Sequence, residues 1–517
     1  MRNRFWKSGF SGSLLLSALL ALAGCSLAPH YDVPAAPGVA GTFKEAPQPA
    51  LATETVGTWK TAQPSEDLAR GEWWKVFDDA TLDALEQQAL DANQNLKAAA
   101  ARVREARALN QTARAGLFPT LDAGFGPTRE RVSAASLFEP DGSNVPQQTF
   151  WRAQASASYE VDLFGRVAST VDAAHADTQQ SEALYRSVLL TLQADVAQNY
   201  FALRELDAEA AVYAQGVALR EHALQLVQRR YAEGDIAELD LQLAQAELAA
   251  AKSDAMTVQR LRAASEHGLA VLLGKAPADF SVAANPLVPV DLRIPPGLPS
   301  SLLERRPDIA AAERSMAAAN ARIGVAKAAF FPSLTLTGTG GFESATLGDL
   351  FKWSSRAFLL GPLAGTALTV PLFDGGRRKG NLANARAVYD EDVAKYRQQV
   401  LVAFREVEDN LSDMRILETQ TRTQDDAVKA SQRAADLARK QYTEGAVSYL
   451  DVIDAQRAVL QARRSAVQLQ GVQAAATVNL IRALGGGWGE TSQSSMSAPT
   501  LGSTTPEMPT RTEVAQR

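Results

Sequence analysis

The chain has 517 residues, 46% of them hydrophobic and 21% charged, with a formal net charge of −6. A nucleic-acid partner requires a basic surface, which this balance excludes, and the single cysteine, Cys25, excludes an internal disulfide. Aromatic residues are only 7%, and alanine is abundant in long stretches without Pro or Gly, a composition that favours long helices.

Arg2, Arg4 and Lys7 make a basic start, Leu14 to Leu22 a short apolar run, and Leu22-Ala23-Gly24-Cys25 ends it. The run is too short to span a bilayer, so residues 1–24 are read as a signal peptide. Its end resembles a bacterial lipobox, which makes Cys25 the lipidated first residue of the mature chain; the alternative is an ordinary secretory signal with an incidental cysteine. Ser26, rather than an acidic residue, follows, which in lipoproteins goes with sorting to the outer membrane. Residues 25–70 are then a polar, partly extended segment behind the anchor, and 486–517 a polar, disordered tail.

Trp73-Trp74 is read as ordinary packing, and Leu82 to Leu117 as a helix. The period then changes to two. Leu121, Ala123 and Phe125 give a short strand and Pro127 to Gln148 a loop. Trp151, Ala153, Ala155, Ala157, Tyr159, Val161 and Leu163 next alternate with Arg152, Gln154, Ser156, Ser158, Glu160 and Asp162. Such a strand has one apolar and one polar face. Its length suits a tilted strand crossing a bilayer, which takes about 9 to 11 residues. Alternation alone fits a small soluble sandwich equally well.

From about Arg166 to Ala232 the pattern is helical again, roughly 100 Å at 1.5 Å per residue, so a partner of similar length must bury it. A heptad seam runs through Leu189, Val196, Leu203, Ala210, Val217, Leu224 and Tyr231, with Tyr185, Leu192, Leu206, Tyr213 and Val227 on a second seam and breaks at Asn199 and Arg220. Tyr231-Ala232-Glu233-Gly234 stops the helix, since Gly tolerates a left-handed end, and a returning helix runs from Ala237 to Leu273. Residues 275–300 form a proline-rich linker.

The second half repeats this plan. Ser301-Leu302-Leu303-Glu304 is a capping box and Arg305-Arg306-Pro307-Asp308 places Pro at a helix start. Phe118-Pro119-Thr120-Leu121 recurs as Phe331-Pro332-Ser333-Leu334, Leu163-Phe164 as Leu372-Phe373, and Leu273-Gly274 as Leu484-Gly485. Strands are expected over Leu334 to Phe342 and over Ala364 to Leu372. A weaker seam follows through Val400, Val407, Met414, Thr421, Val428, Ala435 and Tyr442. Tyr442-Thr443-Glu444-Gly445 ends it, and a return helix runs from Ser448 to Leu484. The chain is thus two structural repeats, 71–274 and 301–485, each a helix, a β-hairpin and a long antiparallel coiled-coil hairpin. Four strands cannot close a membrane barrel, whose smallest members have eight. Two chains would give eight strands with a filled interior, and three would give twelve with a lumen.

These blocks, together with Trp73-Trp74-Lys75-Val76-Phe77, Arg306-Pro307-Asp308-Ile309, Phe330-Phe331-Pro332-Ser333-Leu334 and Leu450-Asp451-Val452-Ile453-Asp454-Ala455-Gln456, resemble the TolC-type outer membrane efflux proteins, more closely their OprM/NodT-like lipoprotein branch. The resemblance covers roughly residues 26–487. It implies a mixed α and transmembrane β fold: a homotrimer with one twelve-stranded outer-membrane barrel continued by a periplasmic α-helical barrel. It also implies a role as exit duct of a tripartite pump, with a periplasmic adaptor and an inner-membrane transporter of the resistance-nodulation-division class as partners. No cofactor is implied beyond the lipid on Cys25. On the family pattern Leu450, Asp451 and Asp454 fall on the periplasmic constriction, where three chains would gather six carboxylates that favour cations. Asp240 matches Asp451, but Leu243 replaces the second carboxylate. The competing reading makes Ser448 an N-cap with the aspartates serving the helix dipole. Gly234 and Gly445 mark the tips where an adaptor would dock, or simple tight turns.

Enzymatic readings fail on the residues. His30, His175, His222 and His267 have no metal-ligand spacing and read as solvated helix-face residues. Gly375-Gly376-Arg377-Arg378-Lys379-Gly380 lacks the Gly-Lys-Ser/Thr order of a phosphate loop and reads as a strand breaker with cations at the membrane interface. A nucleophile elbow is absent. The remaining rivals are a duct for type I protein secretion and a non-conducting periplasmic scaffold lipoprotein.

Overall fold

The computed structural model describes residues 27–35, 43–45, 71–140, 142–289, 305–360 and 368–486. Cys25, the capping box 301–304 and residues 361–367 lie outside them.

Helix α1 spans Ala80–Ala92, capped by Asp79, whose carboxylate accepts from the backbone N–H of Thr81 and Leu82. Helix α2 spans Gln94–Ala115. One helix was expected across this stretch, and Asn93 divides it. Its ψ of 127° leaves the helical region, its side chain accepts from Leu96 N (3.0 Å), and its Nδ2 donates to Leu272 O (2.8 Å). A short amide side chain that satisfies backbone groups itself competes with the helix and wins at a cap. Strands β1 (Thr120–Glu130) and β2 (Gln148–Val161) follow, then α3 (Arg166–Ala232) and α4 (Glu238–Leu272). The second copy is α5 (Pro307–Ala328), β3 (Ser333–Ser344), β4 (Arg356–Leu360), β5 (Leu368–Thr369), α6 (Arg377–Thr443) and α7 (Tyr449–Ala483). The duplication extends to length: α2 and α5 have 22 residues each, α3 and α6 have 67, and α4 and α7 have 35.

Each long helix is accompanied by two shorter ones placed end to end. Arg262 and Lys252 of α4 pair with Asp207 and Glu221 of α3, whereas Arg107 of α2 and Arg322 of α5 pair with Glu182 and Asp177, nearer the sheet. Where α4 ends, Gly274 lies so close to α1 that a Cβ there would sit 2.6 Å from Ala92 O, and its φ of +66° also demands glycine. Where α7 ends, Arg306 at the N-cap of α5 donates to Ala483 O (3.1 Å). In both halves a residue at the head of the next helix thus satisfies an orphan carbonyl of the last turn.

The core follows the coiled-coil seams with one change. Leu192, Val196, Leu203, Tyr213 and Val227 are buried, but Tyr231 is 40% exposed. From Val196 onward burial moves from the first seam to the second along α3, as expected when a 3.6-residue helix drifts against a strict heptad. On α6, Val400, Val407, Ala435 and Tyr442 are buried as expected. Trp73 and Trp74 pack with Leu82, Tyr200, Leu203, Leu269 and Ile481, and the Trp73 indole donates to Gln193 (3.0 Å).

The described strands form one antiparallel sheet in the order β1-β2-β3-β4, with β5 pairing the start of β3. β1 runs five residues past Phe125, and Pro127, expected in a loop, sits opposite Trp151. Proline is tolerated there because β1 is the edge strand of the chain's sheet. The fourth strand begins at Arg356 rather than 364, and between β4 and β5 the pairing register on β3 shifts by four residues.

The N-terminal segment lies along α5 and α6. Ala28 touches Gly324, Pro29 O accepts from Asn320 (2.8 Å), the Tyr31 hydroxyl donates to Glu313, and Phe43 is buried with Val407, Leu411 and Leu480. His30, expected on a helix face, belongs to this segment; His175, His222 and His267 are exposed on helices.

Candidate conduction path: strand faces and hairpin tips

The pairing register carries the alternation of β2 across three strands. Arg152, Gln154, Ser156, Ser158 and Glu160 share a face with Asp122, Gly124, Gly126 and Glu130 of β1 and with Thr335, Thr337, Thr339, Gly341 and Glu343 of β3. The other face carries Leu121, Phe125, Trp151, Tyr159, Leu336 and Phe342, with Phe125 and Trp151 stacked at 6.0 Å. Leu121 is 77% and Phe125 65% exposed in the single chain. So large an apolar surface needs a partner or lipid to cover it. Before α6, Gly375 and Gly376 take φ of +65° and +91°, the break the sequence indicated, and Arg378 pairs with Asp374 at 2.9 Å. Among the described residues no helix is long and apolar enough to cross a membrane.

At the far end, both hairpins turn on glycines with φ of +82° (Gly234) and +75° (Gly445), and neither has an atom within 4 Å of a built Cβ. Their role in the turn is therefore conformational rather than steric. Val227, Ala244, Tyr442, Tyr449, Val452 and Ile453 form a common core that joins the two tips. Leu243 packs against it, while its counterpart Asp454 faces outward. Asp451 closes a capping box: its Oδ2 accepts from Ser448 N (2.9 Å) and Ser448 Oγ (2.7 Å), and these bonds hold its carboxyl below the usual range. In the first half Ala237 stands at the N-cap and offers no such bond. Asp454 pairs with Arg457 (3.3 Å), which also bonds Glu247 on α4, and Glu247 meets buried Arg220 at 3.7 Å. Leu450 is half exposed beside them.

The chain Asp454–Arg457–Glu247–Arg220 ties one hairpin to the other, and the sequence marks its two ends but not its middle. Arg220 was legible as a break in the α3 seam. Glu247, on a different helix, had no local signal pairing it with Arg457.

Farther from the tip, Glu205 of α3 lies over Gly471 of α7, where any Cβ would run into its carboxylate. Burial first, and then the charge of Glu209, push Glu205 up to about 7. Arg464, the nearby cation of α7, is held by Glu209 at 2.6 Å. Because the native pKa exceeds the ordinary value of 4.5, the folded chain holds more protons than the unfolded chain between pH of about 4.5 and about 7. Stability should therefore fall as pH rises through that window and level off above it. Thermal melts should show this slope flattened in Glu205→Gln; an unchanged slope would exclude Glu205 as its source.

A two-faced antiparallel sheet standing on paired helices of this length is the protomer plan of an outer-membrane channel that reaches into the periplasm. A family model described as outer membrane efflux protein matches residues 85–275 and 298–486. The toluene efflux pump outer membrane protein TtgF of Pseudomonas putida is 35% identical over 490 residues, covering 94% of this chain and 98% of TtgF. OprJ of Pseudomonas aeruginosa is 35% identical over 488 residues, covering 94% and 97%. The crystal structure of the CmeC outer membrane channel of Campylobacter jejuni superposes with a TM-score of 0.80 at 25% identity, covering 90% of this chain and 96% of CmeC. The chain belongs to the outer membrane efflux protein family. It is a non-enzymatic transport protein of the Gram-negative outer membrane, the exit duct of an efflux system, and such ducts act with an adaptor and an inner-membrane transporter.

Proposed function

We propose that three copies close a twelve-stranded barrel through the outer membrane, with the polar strand faces lining the lumen and six coiled-coil hairpins continuing it as a periplasmic tube. The observation that carries this reading is the sheet itself. One chain supplies too few strands for closure and leaves both edges unpaired, which lipid does not tolerate. Its apolar face is broadly exposed until lipid covers it. The substrates are small organic molecules of the kind the toluene pump relative is named for, chosen by the inner-membrane transporter and passed on by the duct.

Lipidation of Cys25 fits the path of the N-terminal segment. Only Ser26 and Leu27 separate Cys25 from Ala28, a span of at most about 11 Å, and Ala28 rests on Gly324 near the sheet end of α5. An acyl chain there enters the periplasmic leaflet at the foot of the barrel. At the opposite end, Leu450, Asp451 and Asp454 form the constriction, and the tips at Gly234 and Gly445 receive the adaptor.

Purified protein is expected to run as a heat-sensitive trimer and to give discrete single-channel currents in planar bilayers. In a Gram-negative host deleted for its own exit duct, it should restore resistance to organic solvents when expressed with its adaptor and pump. A monomer that carries no current would refute the duct and favour the scaffold.

A further inference from the structure

The polar strand face holds four carboxylates on β1 to β3, Asp122, Glu130, Glu160 and Glu343, and one cation, Arg152. Arg152 is clamped from both sides: its Nε donates to Glu343 on β3 (2.7 Å) and its Nη2 to Glu130 on β1 (3.0 Å). Glu343 stands directly opposite Arg152, whereas Glu130 lies four residues beyond Gly126 along β1, so the long guanidinium side chain bridges the two carboxylates diagonally across β2. All three side chains are about one-third exposed or less, at 27%, 34% and 28%. The cluster lies at the end of the sheet away from the helices, where β1 and β2 are joined by residues 131–147. On the sheet side of it the same face is bare: Gly126 stands opposite Arg152, and Gly124 and Gly341 stand opposite Gln154, while toward the strand ends Phe150 and Thr128 lie beside it. All three charged side chains keep part of their surface open to the space the face borders.

We propose that Arg152, held by Glu130 and Glu343, sets the charge selectivity of the outer mouth of the duct, independently of the aspartates at the periplasmic tip. This rests on the trimeric lumen reading above. Each chain presents two carboxylates and one guanidinium there, so three chains present a ring whose net charge is mildly negative. The ring favours cations without shutting out anions. Removing the guanidinium leaves six unneutralised carboxylates, and removing the carboxylates leaves three bare guanidinia. The two changes act in opposite directions, which a merely structural brace does not.

Reversal potentials in a KCl gradient test this on the purified protein in planar bilayers. Arg152→Gln is expected to raise the K⁺/Cl⁻ permeability ratio, and Glu130→Gln with Glu343→Gln to lower it below wild type. Should either variant fail to assemble, Glu343→Cys can be modified after assembly. A positively charged methanethiosulfonate should then lower the ratio and a negatively charged one raise it. Conducting wild type with ratios that do not move in opposite directions overturns the outer-mouth assignment and leaves the duct standing. Wild type that carries no current overturns both.

Discussion

Gly341→Ala is expected to abolish assembly of the channel, whereas the neighbouring Gly340→Ala leaves it intact. A Cβ on Gly341 would lie 2.6 Å from Gln154 Cα and closer still to Ala153 O, both backbone atoms of β2 that cannot swing aside. A Cβ on Gly340 meets nothing within 4 Å. Relief requires β2 and β3 to part at the Gln154↔Gly341 pair, and this seam is where the sheet joins the two halves of the chain. Overpacking in a well-packed region typically costs about 1–3 kcal/mol, and here the obstacle is main chain. The readout is the heat-sensitive trimer on gels and the bilayer current. Both should be lost in Gly341→Ala and retained in Gly340→Ala; normal assembly of Gly341→Ala would show that the two strands separate more readily than their register implies.

Removing the tip carboxylates is the second large effect. Asp451→Ala combined with Asp454→Ala should raise the conductance of the closed trimer and weaken blockade by multivalent cations. The two residues do not contribute alike. Asp451 is engaged with Ser448, so its loss also removes the reciprocal half of a capping box and leaves the Ser448 N-cap in place. Asp454 is 62% exposed and, among the described residues, pairs with Arg457, itself 56% exposed. An ion pair that open contributes little to stability. Asp454→Asn alone therefore isolates the electrostatic part, and most of the change in blockade should follow it. Unchanged conductance and blockade in the double variant would remove both aspartates from the gate.

Much of the fold was legible because the sequence repeats its own signals. The glycine stops at Gly234 and Gly445, the seam through Val400 and Val407, Pro307 at a helix start and the alternation along β2 are local patterns, and each lies where its periodicity places it. The misses were of a different kind. Asn93 breaks a helix because its amide reaches Leu272, a residue far along the chain. Pro127 stays in a strand because that strand is an edge, a property of the sheet rather than of the segment. The fourth strand opens on Ala357-Phe358-Leu359-Leu360, a continuous apolar run with no alternation to fix where it began. At the site, the type of residue at Asp451 and Asp454 was visible, but the Ser448 bonds that distinguish the two and the bridge from Arg457 to Glu247 depend on three-dimensional neighbours.

The end-to-end junctions at Gly274 and Arg306 have a mechanical consequence. At that height α3 or α6 is the long helix that runs through unbroken in each half, while the companion rod is only abutted. Bending stiffness therefore drops at one common level around the molecule, in the manner of a scored line. Below it each 35-residue return helix forms an arm of roughly 50 Å. On such an arm a tilt of about 10° at the line becomes a displacement of roughly 9 Å at the tip. Side-chain ties as weak as the exposed Asp454–Arg457 pair then work at the far end of a lever, where they oppose the largest travel with the least force.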